Sequence, residues 1–127
     1  MKINFIDLQK QYQNIKEEVD LAIKDVIDNN AFILGERVEK FEQNFSKYNK
    51  RIYGIAVSSG TAALEISMKS LNLRKGDEII IPTFSIISTA LCVIKCGLKP
   101  ILVDVDLKTW NMKSDEVIKK ITKKTRA

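Results

Sequence analysis

Apolar side chains recur at helical spacing near the start of the chain, at Ile15, Val19, Ile23, Val26 and Ile27. That period predicts an amphipathic helix over roughly Gln9 to Asp28, ended by Asn29-Asn30. Gly35 punctuates a short apolar segment, Ala31 to Leu34, and Val38, Phe41, Phe45 and Tyr48 then make the stripe of a second helix. Asn49-Lys50-Arg51 breaks the pattern, and the rhythm changes to short continuous apolar runs. Ile52 to Val57 reads as a buried strand, Ser58-Ser59-Gly60 as a tight turn, and Thr61 to Leu71 as a helix with Leu64, Met68 and Leu71 facing inward. After the turn Lys75-Gly76-Asp77 come a strand, Glu78 to Ile81, closed by Pro82, and a helix, Ile86 to Lys95. A turn at Gly97 to Pro100 leads into a third strand, Ile101 to Val105. The last predicted helix runs from about Ser114 to Ile121, with Ser114 as its N-cap.

Strand and helix thus alternate three times. Strands that are continuous Val/Ile runs are usually buried on both faces, which predicts an α/β fold with helices covering a mostly parallel sheet. The two leading helices lie outside this alternation. They define an N-terminal helical segment, residues 1–50, followed by the beginning of an α/β domain, residues 51–127. Three strands make a narrow sheet with a bare edge, and Ile121 to Ala127 reads as the lead-in to another strand. The expectation is a piece of something larger. No internal repeat, low-complexity segment or linker interrupts the chain.

Composition sharpens the class. At 127 residues, 45% hydrophobic and 29% charged, the chain has the make-up of one globular domain. Its apolar runs are too short or too interrupted to span a bilayer, so no membrane is expected. Met1 to Asp7 lacks the basic start and apolar stretch of a secretory signal, which makes the cytoplasm the expected location. The net charge is +5, and Lys113 to Ala127, with six basic and two acidic residues, carries +4 of it. That stretch has no aromatic to interleave with its basic residues, so it predicts a solvated helix face and no nucleic acid partner. There is no histidine, which removes Ser-His, Cys-His and most metal-hydrolase schemes. Cys92 and Cys96 would share a helix face. A metal site needs more ligands, and a disulfide within one turn is geometrically awkward, so two small buried residues are expected and no metal.

One segment suits anion chemistry. Ser58-Ser59-Gly60-Thr61-Ala62-Ala63-Leu64 follows a predicted strand and opens a helix. The first amides of a helix have no internal partner, and its dipole favours an anion there. Gly60 allows close backbone approach, Ser59 and Thr61 add hydroxyls, and Ala62 and Ala63 keep the entrance open. The segment is not a Walker loop, because the Gly-Lys-Ser/Thr ending is missing. An ordinary capped helix start is the competing explanation. Two further segments place loops at the carboxyl ends of the next strands, where open parallel sheets bind ligands. These are Gly76-Asp77-Glu78 through Pro82-Thr83-Phe84-Ser85, and Gly97 through Val103-Asp104-Val105-Asp106.

Taken together, these segments and the leading Phe32-Ile33-Leu34-Gly35, Val38, Phe41-Glu42, Phe45 and Tyr48 closely resemble the DegT/DnrJ/EryC1/StrS aminotransferase family. The resemblance runs from about Phe5 to Ala127, with order and spacing in agreement. It implies part of the large domain of an aspartate-aminotransferase-like, fold type I protein that binds pyridoxal 5′-phosphate (PLP). It also implies transfer of an amino group, typically from glutamate, to a keto sugar on a nucleotide, for polysaccharide or glycan biosynthesis. The resemblance further implies a homodimer. By position, Thr61 and Ala62 match the residues that bind the cofactor phosphate, with Gly60 shaping the turn. Ile86 falls where the family usually has an aromatic stacked on the pyridine ring, and Phe84 lies two residues away. Ala62 also departs from the common aspartate after the family's Gly-Thr. The family's pyridine-nitrogen aspartate and its Schiff-base lysine belong further along than residue 127, so no catalytic residue is assigned here and the 127 residues alone are expected to be inactive. Two alternatives remain open: a nucleotide-sugar dehydratase of the same family using the same cofactor, and a non-catalytic phosphate-binding or dimerising fragment.

Overall fold

The computed structural model describes residues 5–127, so the first four residues of the stretch lacking a signal lie outside it. The chain divides into two compact units, Met1–Ala56 and Val57–Ala127. In the first unit, α1 spans Leu8–Asp28 and α2 spans Glu36–Tyr48. The Asp7 carboxylate caps α1 by accepting from the Lys10 amide at 3.0 Å. Both helices end the same way. Asn30 and Lys50 turn into the left-handed region (φ 51° and 53°). The amides of Ala31 and Arg51 then reach back to the carbonyls of Val26 and Ser46 at 3.0 and 2.8 Å, a Schellman stop. This is why Asn29-Asn30 and Asn49-Lys50-Arg51 break the pattern. The Arg37 guanidinium joins the two helices by donating twice to Asp25 Oδ2, at 2.9 and 3.0 Å.

Residues 51–59 correct the prediction. Ile52 to Val57 forms no strand. A strand needs a partner ladder, and here the Ala56 amide donates to the Glu42 Oε1 atom at 2.7 Å instead. Gly54 lies so close to α2 that a β-carbon would stand 2.6 Å from the Glu42 carbonyl oxygen.

The second unit holds α3 (Gly60–Ser70), β1 (Glu78–Pro82), α4 (Ser88–Lys95), β2 (Lys99–Val103) and α5 (Ser114–Lys120). β1 and β2 pair in parallel, Glu78 opposite Lys99 through Pro82 opposite Val103. The core is Ile79, Ile81, Val93 and Leu98, with Met68, Leu73, Ala90 and Cys96 packed against it. The predicted parallel sheet under helices is present with two strands rather than three. Cover on both faces is incomplete among the described residues, since Leu102 of β2 stays exposed. The predicted cap at Ser114 also shifts: Ser114 is the first helical residue, and Lys113 stands at the cap with no side-chain bond.

The other edge of β1 is occupied. The Glu78 amide donates to the Lys124 carbonyl, the Arg126 amide to the Glu78 carbonyl, and the Ile80 amide to the Ala127 carbonyl, at 2.8–3.0 Å. The segment expected to lead into another strand therefore lies along β1, with a parallel bridge between Glu78 and Thr125. Glu78 pins it. Its side chain is buried, accepts from the Thr122 hydroxyl at 2.6 Å and pairs with Lys99 at 3.1 Å. The Thr122 hydroxyl first, and Lys99 second, hold the Glu78 carboxyl below the ordinary glutamate range.

Candidate functional site

The two cysteines set the orientation of α3. Cys92 Sγ donates to the Thr61 carbonyl at 3.4 Å, and Cys96 Sγ to the Glu65 carbonyl at 3.8 Å. Steps of four residues match on both helices, so α3 and α4 run parallel. Cys92 is fully buried, as expected of a small core residue, whereas Cys96 is only partly buried. Because only five residues separate the end of β1 from the start of α4, the starts of both helices lie at the carboxyl edge of the strands, where parallel sheets bind ligands.

At that edge the Ser59 backbone is extended, and its hydroxyl accepts from the Ala62 amide at 3.1 Å. The capped-helix explanation therefore holds for Ser59, and the Ala62 amide is engaged by it. The amides of Gly60 and Thr61, which open the helix, have no carbonyl ahead of them in the helix to bond. A β-carbon built on Gly60 would meet nothing within 4 Å, so the space beside Gly60 is open. Thr61, the second residue of α3, is half-buried and brings a hydroxyl to the first turn of the helix. No acidic residue occupies the first turn of α3, so nothing in that turn repels an anion. Two free amides and a hydroxyl at the positive end of a helix form a donor set that fits a phosphate.

The loop between β1 and α4 carries the candidates for an aromatic or apolar ring. Ile86 is 72% exposed and Phe84 67% exposed. Phe84 already has a partner, the Trp110 ring, with centroids 5.1 Å apart and a 43° tilt. Ile86 is therefore the candidate left free to meet a ligand. The sequence pattern gave Trp110 no role. Its only signal was being the sole tryptophan, four residues after the Val-Asp-Val-Asp stretch.

The carboxylates of that stretch build the loop. Asp104 Oδ1 accepts from the Val105 amide at 2.8 Å and from the Thr83 hydroxyl at 3.3 Å. Asp106 Oδ1 accepts from the amides of Lys108 and Thr109, both at 2.9 Å. The Thr109 amide first, then that of Lys108, lowers the Asp106 pKa. Among the described residues no group of three His, Cys, Asp or Glu could hold a metal ion, and no helix is long and apolar enough to cross a membrane.

Comparison with known proteins gives the family. The chain is 36% identical to the UDP-2-acetamido-2-deoxy-3-oxo-D-glucuronate aminotransferase of Pseudomonas aeruginosa over 125 residues, 98% of this chain and 35% of that protein. It superposes with a TM-score of 0.91 and 32% identity on the Streptomyces venezuelae enzyme DesV, solved with a ketimine intermediate. That match covers 98% of this chain and 34% of the enzyme. It also resembles the E. coli GDP-4-keto-6-deoxy-D-mannose-3-dehydratase solved with bound hydrated PLP, with a TM-score of 0.77, 30% identity, and 98% and 31% of the two chains covered. The chain spans about a third of the length of these relatives. The profile of the DegT/DnrJ/EryC1/StrS aminotransferase family matches residues 13–127, and the chain belongs to that family.

Proposed function

We propose that the protein carrying this chain is a PLP-dependent aminotransferase that moves an amino group, from glutamate, onto a nucleotide-linked keto sugar for polysaccharide or glycan biosynthesis. The observation that carries the proposal is the start of α3. It offers unbonded amides at Gly60 and Thr61, the Thr61 hydroxyl, open space beside Gly60 and no acid in the first turn, in a chain of this family. These groups would hold the phosphate of PLP. Ser59 shapes the turn and keeps the Ala62 amide engaged, so Ala62 contributes smallness rather than a hydrogen bond. Ile86 would cover one face of the pyridine ring by apolar contact, without the roughly 0.5–1.5 kcal/mol that aromatic stacking adds.

Bound there, PLP supplies the electron sink that lets an amino group pass between donor and acceptor. The chain's own part is to anchor, orient and shield. Neutral donors at a helix terminus bind the phosphate without offering a proton-transfer group. Phe84, Ile86 and Trp110 give that edge an apolar character. The nucleotide-sugar class is supported by relatives such as the Pseudomonas aeruginosa aminotransferase. A homodimer in the cytoplasm belongs to the same proposal, and the unpaired thiols Cys92 and Cys96 suit a reducing compartment.

A second reading, a nucleotide-sugar dehydratase on the same cofactor, is favoured by the likeness to the E. coli 3-dehydratase. A lysine at the cofactor anchor supports the transaminase, and another residue there supports the dehydratase. The test is spectroscopic. Full-length protein loaded with PLP is expected to show an absorbance band near the visible edge that moves on adding glutamate, and returns on adding a nucleotide-linked keto sugar. No movement with any amino donor overturns the transaminase proposal.

A further inference from the structure

Four residues, Thr83 to Ile86, carry the chain from the carboxyl end of β1 towards α4, and each of them is tied down. The Thr83 amide donates to the Val103 carbonyl at 2.9 Å, and its hydroxyl to Asp104 Oδ1 at 3.3 Å. The Ser85 and Thr89 hydroxyls stand 3.1 Å apart. The Ile86 carbonyl accepts from the Thr89 amide at 3.0 Å. Phe84, between them, meets the ring of Trp110 from the loop that follows β2.

That second loop is built to present its ring. The Asp106 carboxylate gathers the Lys108 and Thr109 amides. The Trp110 amide donates to the Asp106 carbonyl at 2.8 Å, and the Asp106 amide to the Asn111 carbonyl at 2.9 Å. Trp110 sits in the left-handed region, φ 59°, which a β-carbon penalises and which persists where the surroundings impose it. An exposed hydroxyl–carboxylate bond is a weak tie in water, so the paired rings are the main side-chain link between the loops.

We propose that Phe84 and Trp110 form an aromatic clasp that positions the loop carrying Ile86 against the ring of the bound cofactor. This rests on the reading of Gly60, Thr61 and Ile86 as the cofactor site. Position matters more for an aliphatic than for an aromatic residue. Isoleucine contributes only dispersion and area, and a gap of about 0.5–1 Å already forfeits a quarter to a half of each contact. Phe84 and Trp110 are thus positioning residues acting through Ile86, with no contact of their own to the reacting atoms.

The test uses the full-length protein and two probes, PLP and inorganic phosphate, which separate ring from phosphate binding. Trp110→Leu and Phe84→Leu are expected to weaken PLP about three- to tenfold, leave phosphate affinity unchanged, and be rescued by Trp110→Phe at position 110. Unchanged PLP affinity in both leucine variants overturns the clasp alone. Parallel loss of PLP and phosphate affinity also overturns it, because that marks a general loss of fold. Failure of the unaltered protein to bind PLP overturns the site and the clasp with it.

Discussion

Replacing Thr61 with valine removes one hydroxyl and leaves everything else at the start of α3 in place. The branching and volume of the side chain are kept, as are the amides of Gly60 and Thr61 and the Ser59 cap on Ala62. The Thr61 carbonyl still accepts from Cys92, so α3 and α4 stay in register. What is lost is one hydrogen bond to a charged phosphate at a half-buried position, worth about 1.5–3 kcal/mol. PLP affinity should therefore fall by about tenfold to a hundredfold, since 1.4 kcal/mol is about a factor of ten. Inorganic phosphate should weaken in parallel, because the hydroxyl acts on the phosphate rather than the ring. The control is Lys69→Ala, at the far end of the same helix in an exposed pair with Glu65, which should change affinity less than about twofold. The assay is a spectrophotometric titration of the full-length variants with PLP, accompanied by calorimetry with phosphate. If the valine variant keeps wild-type affinity for both probes, the turn is a capped helix start and nothing more.

Four other outcomes follow from the packing and the charges. The Glu78 carboxylate, its pKa lowered by Thr122 and Lys99, stabilises the fold above the ordinary glutamate range, about 4.3, and that contribution is lost as the pH falls through its lowered folded value. The unfolding midpoint of Glu78→Gln should accordingly lie below wild type at pH 7 and converge with it in acid. Gly97→Ala, at φ 73° with only the Lys75 Cγ atom 3.7 Å from the added carbon, should cost about 1–2 kcal/mol from backbone strain alone, read by urea unfolding. Gly54→Ala should also destabilise, by about 1–3 kcal/mol, because the new carbon would stand 2.6 Å from the Glu42 carbonyl oxygen. The 127 residues expressed alone should show no amino transfer and should self-associate, since Leu21, Ile33, Ile55 and Ile66 lie exposed; a sharp cooperative melt of a monomer in sedimentation-checked samples would contradict this.

Helices were the most legible part of the sequence. The stripes on α1 and α2 and the stops at Asn30, Lys50 and Gly97 depend on neighbours a few residues away, so local pattern suffices. The strand expected at Ile52 to Val57 shows the limit. Its apolar run is real, but a strand is a pairing, and no sequence window says that the Ala56 amide will go to Glu42. The lead-in at Ile121 to Ala127 was legible as extended chain. That it lies against β1 was not, because the pin is Glu78, more than forty residues away. The donor-rich turn at Ser59 to Thr61, proposed here to hold phosphate, was legible as a helix start because Ser-Gly-Thr concentrates donors locally. The Phe84–Trp110 contact was not, because it joins loops after different strands. The Val-Asp-Val-Asp stretch was legible as a strand end at the sheet edge; that Asp104 and Asp106 scaffold the loop, each carboxylate turned onto backbone amides, was not.

The most direct test of the central claim is a crystal structure of the full-length protein with PLP bound. The account predicts phosphate oxygens within hydrogen-bonding distance of the Gly60 and Thr61 amides and of the Thr61 hydroxyl, with Ile86 over the pyridine ring. A cofactor phosphate held anywhere other than the start of α3 would contradict it.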